Sequence, residues 1–491
     1  MPKLNRRLTT LDASFLYFEK RAEPMHIGSC GIYEGDVTAE EVAAVLEARL
    51  PLLARYRQRV LFSPFSFAHP TWEDDPDFDI SNHVEEVFLP EPGDRDALRA
   101  VGGELFASML DRRQPLWKLI LLRGYEGGNT ALISKVHHAM VDGLSGVELT
   151  TVMHDLKPDA ERQPEADDGW DPQPIPDPIS LMQDAVRDRL VESSRTFTDD
   201  ALQLMRPRES MERAQGMLRA LNASMSSVLR PQPKIPFNGP LSSKRDFAWS
   251  QFPFQEVRRV KSGLGGTVND LVLAILAGGL GRYLRQHGID TEGVELRAMC
   301  PVSMRGRDEG GQLGNLVSTM IAPLYVGILD PRERLQAERE AMGRLKSLDQ
   351  AGGFYAMSEL GNRIPPAWQA LAGMFTVPNT LFNTVSTNIP GPQIPLYLAG
   401  HELLHWYPMG PLTSGIGLFV ASLSYNQVLT MGFTVDPELV PDVWSLAGHI
   451  DASYKELRDI AAPSDPKPRP SPPKKSRRQS AGARGKRAAR T

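Results

Sequence analysis

Six prolines between Lys157 and Ser180 (Pro158, Pro164, Pro172, Pro174, Pro176 and Pro178) stand among acidic residues and divide the chain. Proline has no backbone N–H and a fixed φ, so helix is excluded there and an extended, solvated path is favoured. From Leu181 to about Leu229 the pattern is helical, and a second proline-bearing break, Arg230 to Pro240, ends it. The 491 residues thus form a first block over 1–156, a Pro-rich linker and helical crossover over 157–240, a second block over 241–460, and a tail over 461–491. Both blocks mix strand-like and helix-like runs, which predicts an α/β (α+β) fold in two similar halves. No fixed-period repeat is present.

Within the first block, Ala39 to Leu53 reads as one helix with Val42, Val45, Leu46 and Leu50 on one side. Thr130 to His138 alternates as a half-buried strand, placing Leu132, Ser134, Val136 and His138 on one face and His137 on the other. The second block carries a helix over Asn269 to Gln286, a strand over Leu296 to Pro301, and apolar runs over Leu418 to Val435.

No uninterrupted apolar run approaches the roughly 18 residues of a membrane-spanning helix, and mean hydropathy is −0.29. Asp12 interrupts the apolar stretch after the basic N-terminus, so a signal peptide is not expected. The expected location is the cytoplasm, with any membrane contact peripheral, at the inner membrane face or on lipid inclusions. Cys30 and Cys300 are too few for a disulfide framework or a thiolate zinc site and read as buried small apolar residues. The net charge of −5 conceals a tail of four Lys, six Arg and one Asp, which leaves about −14 on the rest. Rich in proline and poor in apolar residues, the tail is expected to be disordered: a solvated extension, or an arm drawn to anionic lipid at about 1 kcal/mol per basic residue. Nucleic acid is not an expected partner.

The chemistry concentrates in His137-His138-Ala139-Met140-Val141-Asp142-Gly143. Asp142-Gly143 is a turn signal and Leu144 to Asp155 returns to a helical pattern, so the motif lies where a strand gives way to a helix. A near-neutral imidazole there takes a proton from an alcohol attacking a carbonyl, a contribution of about 10² to 10⁴ in rate. Two structural histidines, or a metal held by His138 and Asp142, are the competing readings; no other His, Cys and Glu cluster supplies the remaining zinc ligands. Gly143-Leu144-Ser145-Gly146 lacks the spacing of a nucleophile elbow, and Gly263-Leu264-Gly265-Gly266 lacks the context of a dinucleotide loop.

The seven-residue motif resembles the HHxxxDG signature of the CoA-dependent acyltransferase superfamily. Its surroundings resemble the bacterial wax ester synthase/diacylglycerol acyltransferase branch. Leu11 to Leu16 with Pro24-Met25-His26-Ile27-Gly28 is similar to that branch's opening, and Pro115-Leu116-Trp117 to its PLW element. Val268-Asn269-Asp270 is similar to its ND motif, Pro301-Val302-Ser303-Met304-Arg305 to its PVSxR strand, and Asn388-Ile389-Pro390-Gly391-Pro392 to its NxPGP segment, with Thr387 where serine is expected. The likeness runs from about Leu8 to Leu457.

The resemblance implies two chloramphenicol-acetyltransferase-like domains with a channel between them. It implies His138 as general base, with His137, Asp142 and Gly143 in support. Acyl-CoA is the implied co-substrate, with no permanently bound cofactor and no metal, and diacylglycerol the acceptor. A long-chain alcohol, giving wax ester, is the closest alternative; a catalytically silent lipid-binding or lipid-body protein is the alternative of another class. Asn269 and Asn388 are candidate oxyanion donors, against ordinary roles as an N-cap and a turn residue. Asp270 is divided between site shaping and helix capping. Trp117 and His26 are expected to be structural.

Overall fold

The computed structural model describes residues 6–140, 152–159, 169–188, 190, 233–303, 317–347, 364–373 and 381–461. The first block contains α1 (Thr10–Phe18), β1 (His26–Tyr33), α2 (Ala39–Glu47), β2 (Gln58–Leu61), β3 (Thr71–Asp74), β4 (Val84–Phe88), α3 (Arg95–Ala107), β5 (Trp117–Tyr125) and β6 (Asn129–His137). The second begins with β7 (Asp246–Pro253), α4 (Phe254–Leu264), α5 (Val268–Gln286), β8 (Leu296–Ser303), β9 (Val317–Leu324), α6 (Pro331–Ser347) and α7 (Pro366–Gly373). It ends with β10 (Thr384–Pro390), β11 (Tyr397–Leu398), β12 (His401–Met409), β13 (Leu418–Tyr425), β14 (Val428–Val435) and α8 (Val443–Ala461).

Two six-stranded sheets form the frame, ordered β11-β12-β1-β6-β5-β4 and β7-β14-β13-β10-β8-β9. In the first, strand alternation sends Leu132 and Val136 into a core shared with Val42 and Leu46 of α2, and Ile133 into a core shared with Leu98 and Phe106 of α3. The helix expected over Ala39 to Leu53 stops at Glu47 and continues as short 3-10 turns at Leu50–Leu52 and Ala54–Arg57. Pro51 offers no N–H to a continuing ladder and its ring clashes with the preceding turn. Val42, Val45, Leu46 and Leu50 are nonetheless all buried.

The second sheet lays one face on α5 and α8. Leu271 to Ala277 of α5 are almost fully buried, the pattern of a helix surrounded by core. Gly278 and Gly279 let α8 come close, since a Cβ on Gly279 would stand 3.0 Å from the Cα of Ile450. No single described helix is long and apolar enough to cross a membrane, and the one bent pair that passes by length and composition includes this core helix.

One stretch does not stay with its own half. β11 and β12, which lie between 241 and 460, pair into the first sheet, β12 running antiparallel to β1. The chain then returns to the second sheet as the β13–β14 hairpin. β12 lies across that hairpin: a Cβ on Gly432 would meet the carbonyl oxygen of Pro408 at 2.2 Å, and the Gly410 N–H donates to Thr434 Oγ1 at 3.2 Å. The face of the second sheet bearing Phe419, Ala421 and Gly432 therefore turns toward the first sheet.

Candidate active site

The strand β6 delivers the paired histidines to a point clamped on both sides. The His137 N–H donates to the Leu116 carbonyl and the His138 N–H to the Met25 carbonyl, each at 2.8 Å. A single 3-10 turn, His138–Met140, follows. With the backbone held, the two rings take different paths.

The His137 ring is fully buried. Its Nδ1 accepts from the Ala139 N–H at 3.1 Å, and its Nε2 lies 3.4 Å from Oε1 of Glu19. Glu19 follows α1 and is itself 1% exposed. Its carboxylate accepts from the Met25 N–H at 3.0 Å and from the Arg112 guanidinium at 2.8 Å. Burial alone would push this carboxyl up, but His137, the Met25 N–H and Arg112 together bring its pKa down to about 2. Glu19 is therefore a buried anion binding α1, the β1 approach, the loop before β5 and the end of β6 into one unit.

The His138 ring lies flat against Phe15 of α1, centroids 4.0 Å apart and planes 11° from parallel. Part of the residue stays accessible, yet Nδ1 is sealed with no partner other than the residue's own carbonyl. Burial lowers the pKa to about 4, His137 adds to the effect, and the carbonyl opposes it. His138 is consequently a neutral imidazole across the physiological range, with Nε2 as its open nitrogen.

Behind the motif, the apolar face of β6 carries a lysine. Lys135 is 1% exposed, and its Nζ donates to the Leu105 carbonyl at 2.8 Å and to the Ser108 carbonyl at 2.5 Å. His26, on β1 opposite His137, donates from Nε2 to the Phe106 carbonyl at 2.5 Å. These two side chains bind carbonyls at the end of α3, fixing that helix beneath β6. Burial, reinforced by Lys118, brings the Lys135 pKa down to about 7.

The other candidate residues are spread over three places. Asp142 and Gly143 lie outside the described residues, as do Met304, Arg305, most of the crossover and nearly all of the tail. Thr267, not Asn269, is the N-cap of α5. It accepts from the Asp270 N–H while the Asp270 carboxylate accepts from the Thr267 N–H, a capping box worth about 1 kcal/mol. Asn269 is left in the first turn, partly exposed and free of a capping duty. Asn388 belongs to β10 and is no turn residue. Its register partner is Ser422, whereas that of Thr387 is Ala421, so Thr387 takes the side facing the first sheet and Asn388 the side facing the helices. The Thr387 hydroxyl is buried without a partner. Trp117 packs at 3% exposure, its indole N–H donating to the Tyr56 carbonyl at 2.8 Å. Both cysteines are buried and unpaired. Among the described residues, no three His, Cys, Asp or Glu side chains converge on a metal site.

The wax ester synthase/diacylglycerol acyltransferase catalytic-domain profile matches residues 8–272, and the C-terminal-domain profile of the same family matches 313–458. The chain belongs to this family. It is 30% identical over 470 residues to a probable diacylglycerol O-acyltransferase, tgs1, of Mycobacterium tuberculosis, covering 92% of this chain and 96% of the relative. A putative diacylglycerol O-acyltransferase of the same species is 30% identical over 477 residues, covering 93% and 90%. Among solved structures, the wax ester synthase/diacylglycerol acyltransferase from Marinobacter aquaeolei VT8 superposes with a TM-score of 0.63 at 24% identity, over 93% of this chain and 99% of that one. The first condensation domain of the CDA synthetase superposes with a TM-score of 0.58 at 16% identity, over 94% and 97%. This acyltransferase thus has the two-domain, chloramphenicol-acetyltransferase-like fold.

Glu19 and Arg112 were not singled out by sequence reasoning, and Phe15 entered only as part of the opening motif Leu11 to Leu16. The one available signal was a lone glutamate closing the apolar run Phe15 to Phe18.

Proposed function

We propose that this acyltransferase moves a long-chain acyl group from acyl-CoA to the free hydroxyl of diacylglycerol, forming triacylglycerol, with His138 as general base. The observation that carries the reading is the division of labour between the histidines: His137 is locked into the fold, and His138 presents a neutral ring with one open nitrogen. The acceptor oxygen attacks the thioester carbonyl carbon as Nε2 of His138 takes its proton. The C–S bond then breaks, the thiolate of CoA takes up that proton, and the imidazole returns to its neutral form.

No acyl-enzyme is needed. The ring beside His138 is that of Phe15, and burial pushes both cysteine thiols upward in pKa, away from nucleophilic thiolate. Asn269, freed from capping, is the proposed oxyanion donor; removing such a donor typically costs about 3 to 4 kcal/mol. Asp142 and Gly143 keep the supporting role that the family motif implies for them. The names of the Mycobacterium relatives support diacylglycerol as acceptor. A fold neighbour, an arginine-to-alanine variant of the starter condensation domain of rhizomide synthetase, was solved with C8-CoA, which supports acyl-CoA as the donor.

The test offers radiolabelled palmitoyl-CoA with diacylglycerol and with hexadecanol in separate reactions. Triacylglycerol is expected as the main product. Wax ester as the main product would transfer the assignment to the alcohol acceptor, and neither product would remove the long-chain reading.

A further inference from the structure

Around α1 the surface carries an unusual amount of exposed aromatic side chain. Phe65 is 93% exposed and Trp368 65%, and Phe18, Phe62, Ile364 and Leu371 are exposed beside them. They form one region, because α7 packs on both α1 and the Pro64–Ser66 turn, and a Cβ on Gly373 would stand 2.4 Å from the Tyr17 carbonyl oxygen. Phe65 adopts φ 56°, a conformation that bulky side chains rarely take, and in it the ring points into solvent. Neither 61–70 nor 364–373 contains an Asp, Glu, Lys or Arg.

The rim of this uncharged face is basic. The Arg112 guanidinium sits 5.7 Å from the Phe62 ring, and the Arg113 side chain is 87% exposed. Lys20 and Arg21 come two and three residues after Phe18, beyond Glu19. Of these four cations, Arg112 is paired with the buried Glu19 and Arg113 with Asp111, and Glu23 follows two residues after Arg21, so the excess of positive charge on this rim is small.

We propose that this face, formed by α1, α7 and the loop after β2, docks on an anionic lipid surface. Aromatic rings set in an uncharged patch with a basic edge match the layered chemistry of a membrane interface, acyl chain below and anionic headgroup above. Position adds a second argument. Phe15, stacked on His138, and Phe18, on the exposed face, are three residues apart on α1 and so lie on the same side one turn from each other. A bilayer or lipid droplet seated at Phe18 therefore lies next to the ring that backs the catalytic histidine. Here the inference rests on the acyl-transfer reading, because a diacylglycerol acceptor resides in such a surface.

The test uses the full chain in co-sedimentation with vesicles of phosphatidylcholine plus phosphatidylglycerol and with vesicles of phosphatidylcholine alone. Wild type is expected to bind the anionic vesicles more tightly. Phe65→Ser/Trp368→Ser should lower that partitioning by at least ~10-fold, and Phe65→Trp should retain it. Acyl transfer to a short-chain, water-soluble diacylglycerol should be unchanged in the double variant, while transfer to diacylglycerol held in vesicles falls with binding. If the double variant binds vesicles as wild type does, or if wild type only self-associates through this face, the proposal is overturned. Vesicle binding that is lost in the double variant, with no acyl transfer by wild type to either acceptor, would support the docking face and remove the transfer reading alone.

Discussion

His138→Ala is expected to lower kcat/KM for acyl transfer by about 10² to 10⁴ while leaving the fold intact. The loss is large because, in the proposed mechanism, the open Nε2 takes the acceptor's proton. The structural cost is small for a separate reason: Nδ1 of His138 bonds to nothing beyond its own residue, so truncation strands no buried partner. What disappears is the stack on Phe15, about 0.5 to 1.5 kcal/mol for an aromatic pair. Kinetics and a thermal melt on the same preparation separate the two effects. A large fall in activity accompanied by only a small drop in Tm assigns the residue to chemistry.

Glu19→Ala is expected to do the reverse, destabilising the protein by about 1 to 3 kcal/mol, the usual cost of leaving a buried hydrogen-bonding group without its partner. Arg112, whose side chain is 31% exposed, would lose its carboxylate, and in space closed to water the Met25 N–H would lose its acceptor and His137 its charged neighbour. Met25 also supplies the carbonyl that holds the His138 N–H, so activity should fall with stability. Chemical denaturation measures the first effect and kcat/KM the second. Glu19→Gln, which keeps the shape and an acceptor but removes the charge, should fall between wild type and Glu19→Ala. The sign of the acid response follows from the lowered carboxyl: Glu19 contributes its stabilisation above its ordinary value of 4.5, and loses it as pH falls toward about 2.

The local part of this arrangement was legible in the sequence. Alternation along Thr130 to His138 separated the two histidines onto opposite faces. Terms that depend on distant pairing were not legible. Nothing in the periodicity of His401 to Met409 says that it will add to the first sheet, because register against β1 is decided by tertiary packing. Glu19 lies in no motif of the sequence, and only the fold brings His137 and Arg112 to it. The N-cap was misplaced by two residues because Thr267 and Asn269 are both good caps; Asp270, three residues after Thr267, decides between them by closing the capping box. For Asn388, the prolines that follow it suggest a turn as the alternative to an oxyanion role, yet β10 runs on through Pro390. Strand alternation then turns Thr387, and not Asn388, toward the first sheet.

The central claim, that a neutral His138 of depressed pKa accepts the acceptor's proton, is tested most directly by the pH dependence of kcat/KM for transfer from palmitoyl-CoA to diacylglycerol. A base with a lowered pKa remains competent above that value and loses activity as pH falls through it. The account predicts a rate that stays level below pH 6.5, the ordinary value for histidine, and declines only as pH approaches about 4, with this acid limb absent from the residual activity of His138→Ala. An acid limb centred at 6.5 or above, or one that persists unchanged in His138→Ala, would contradict it.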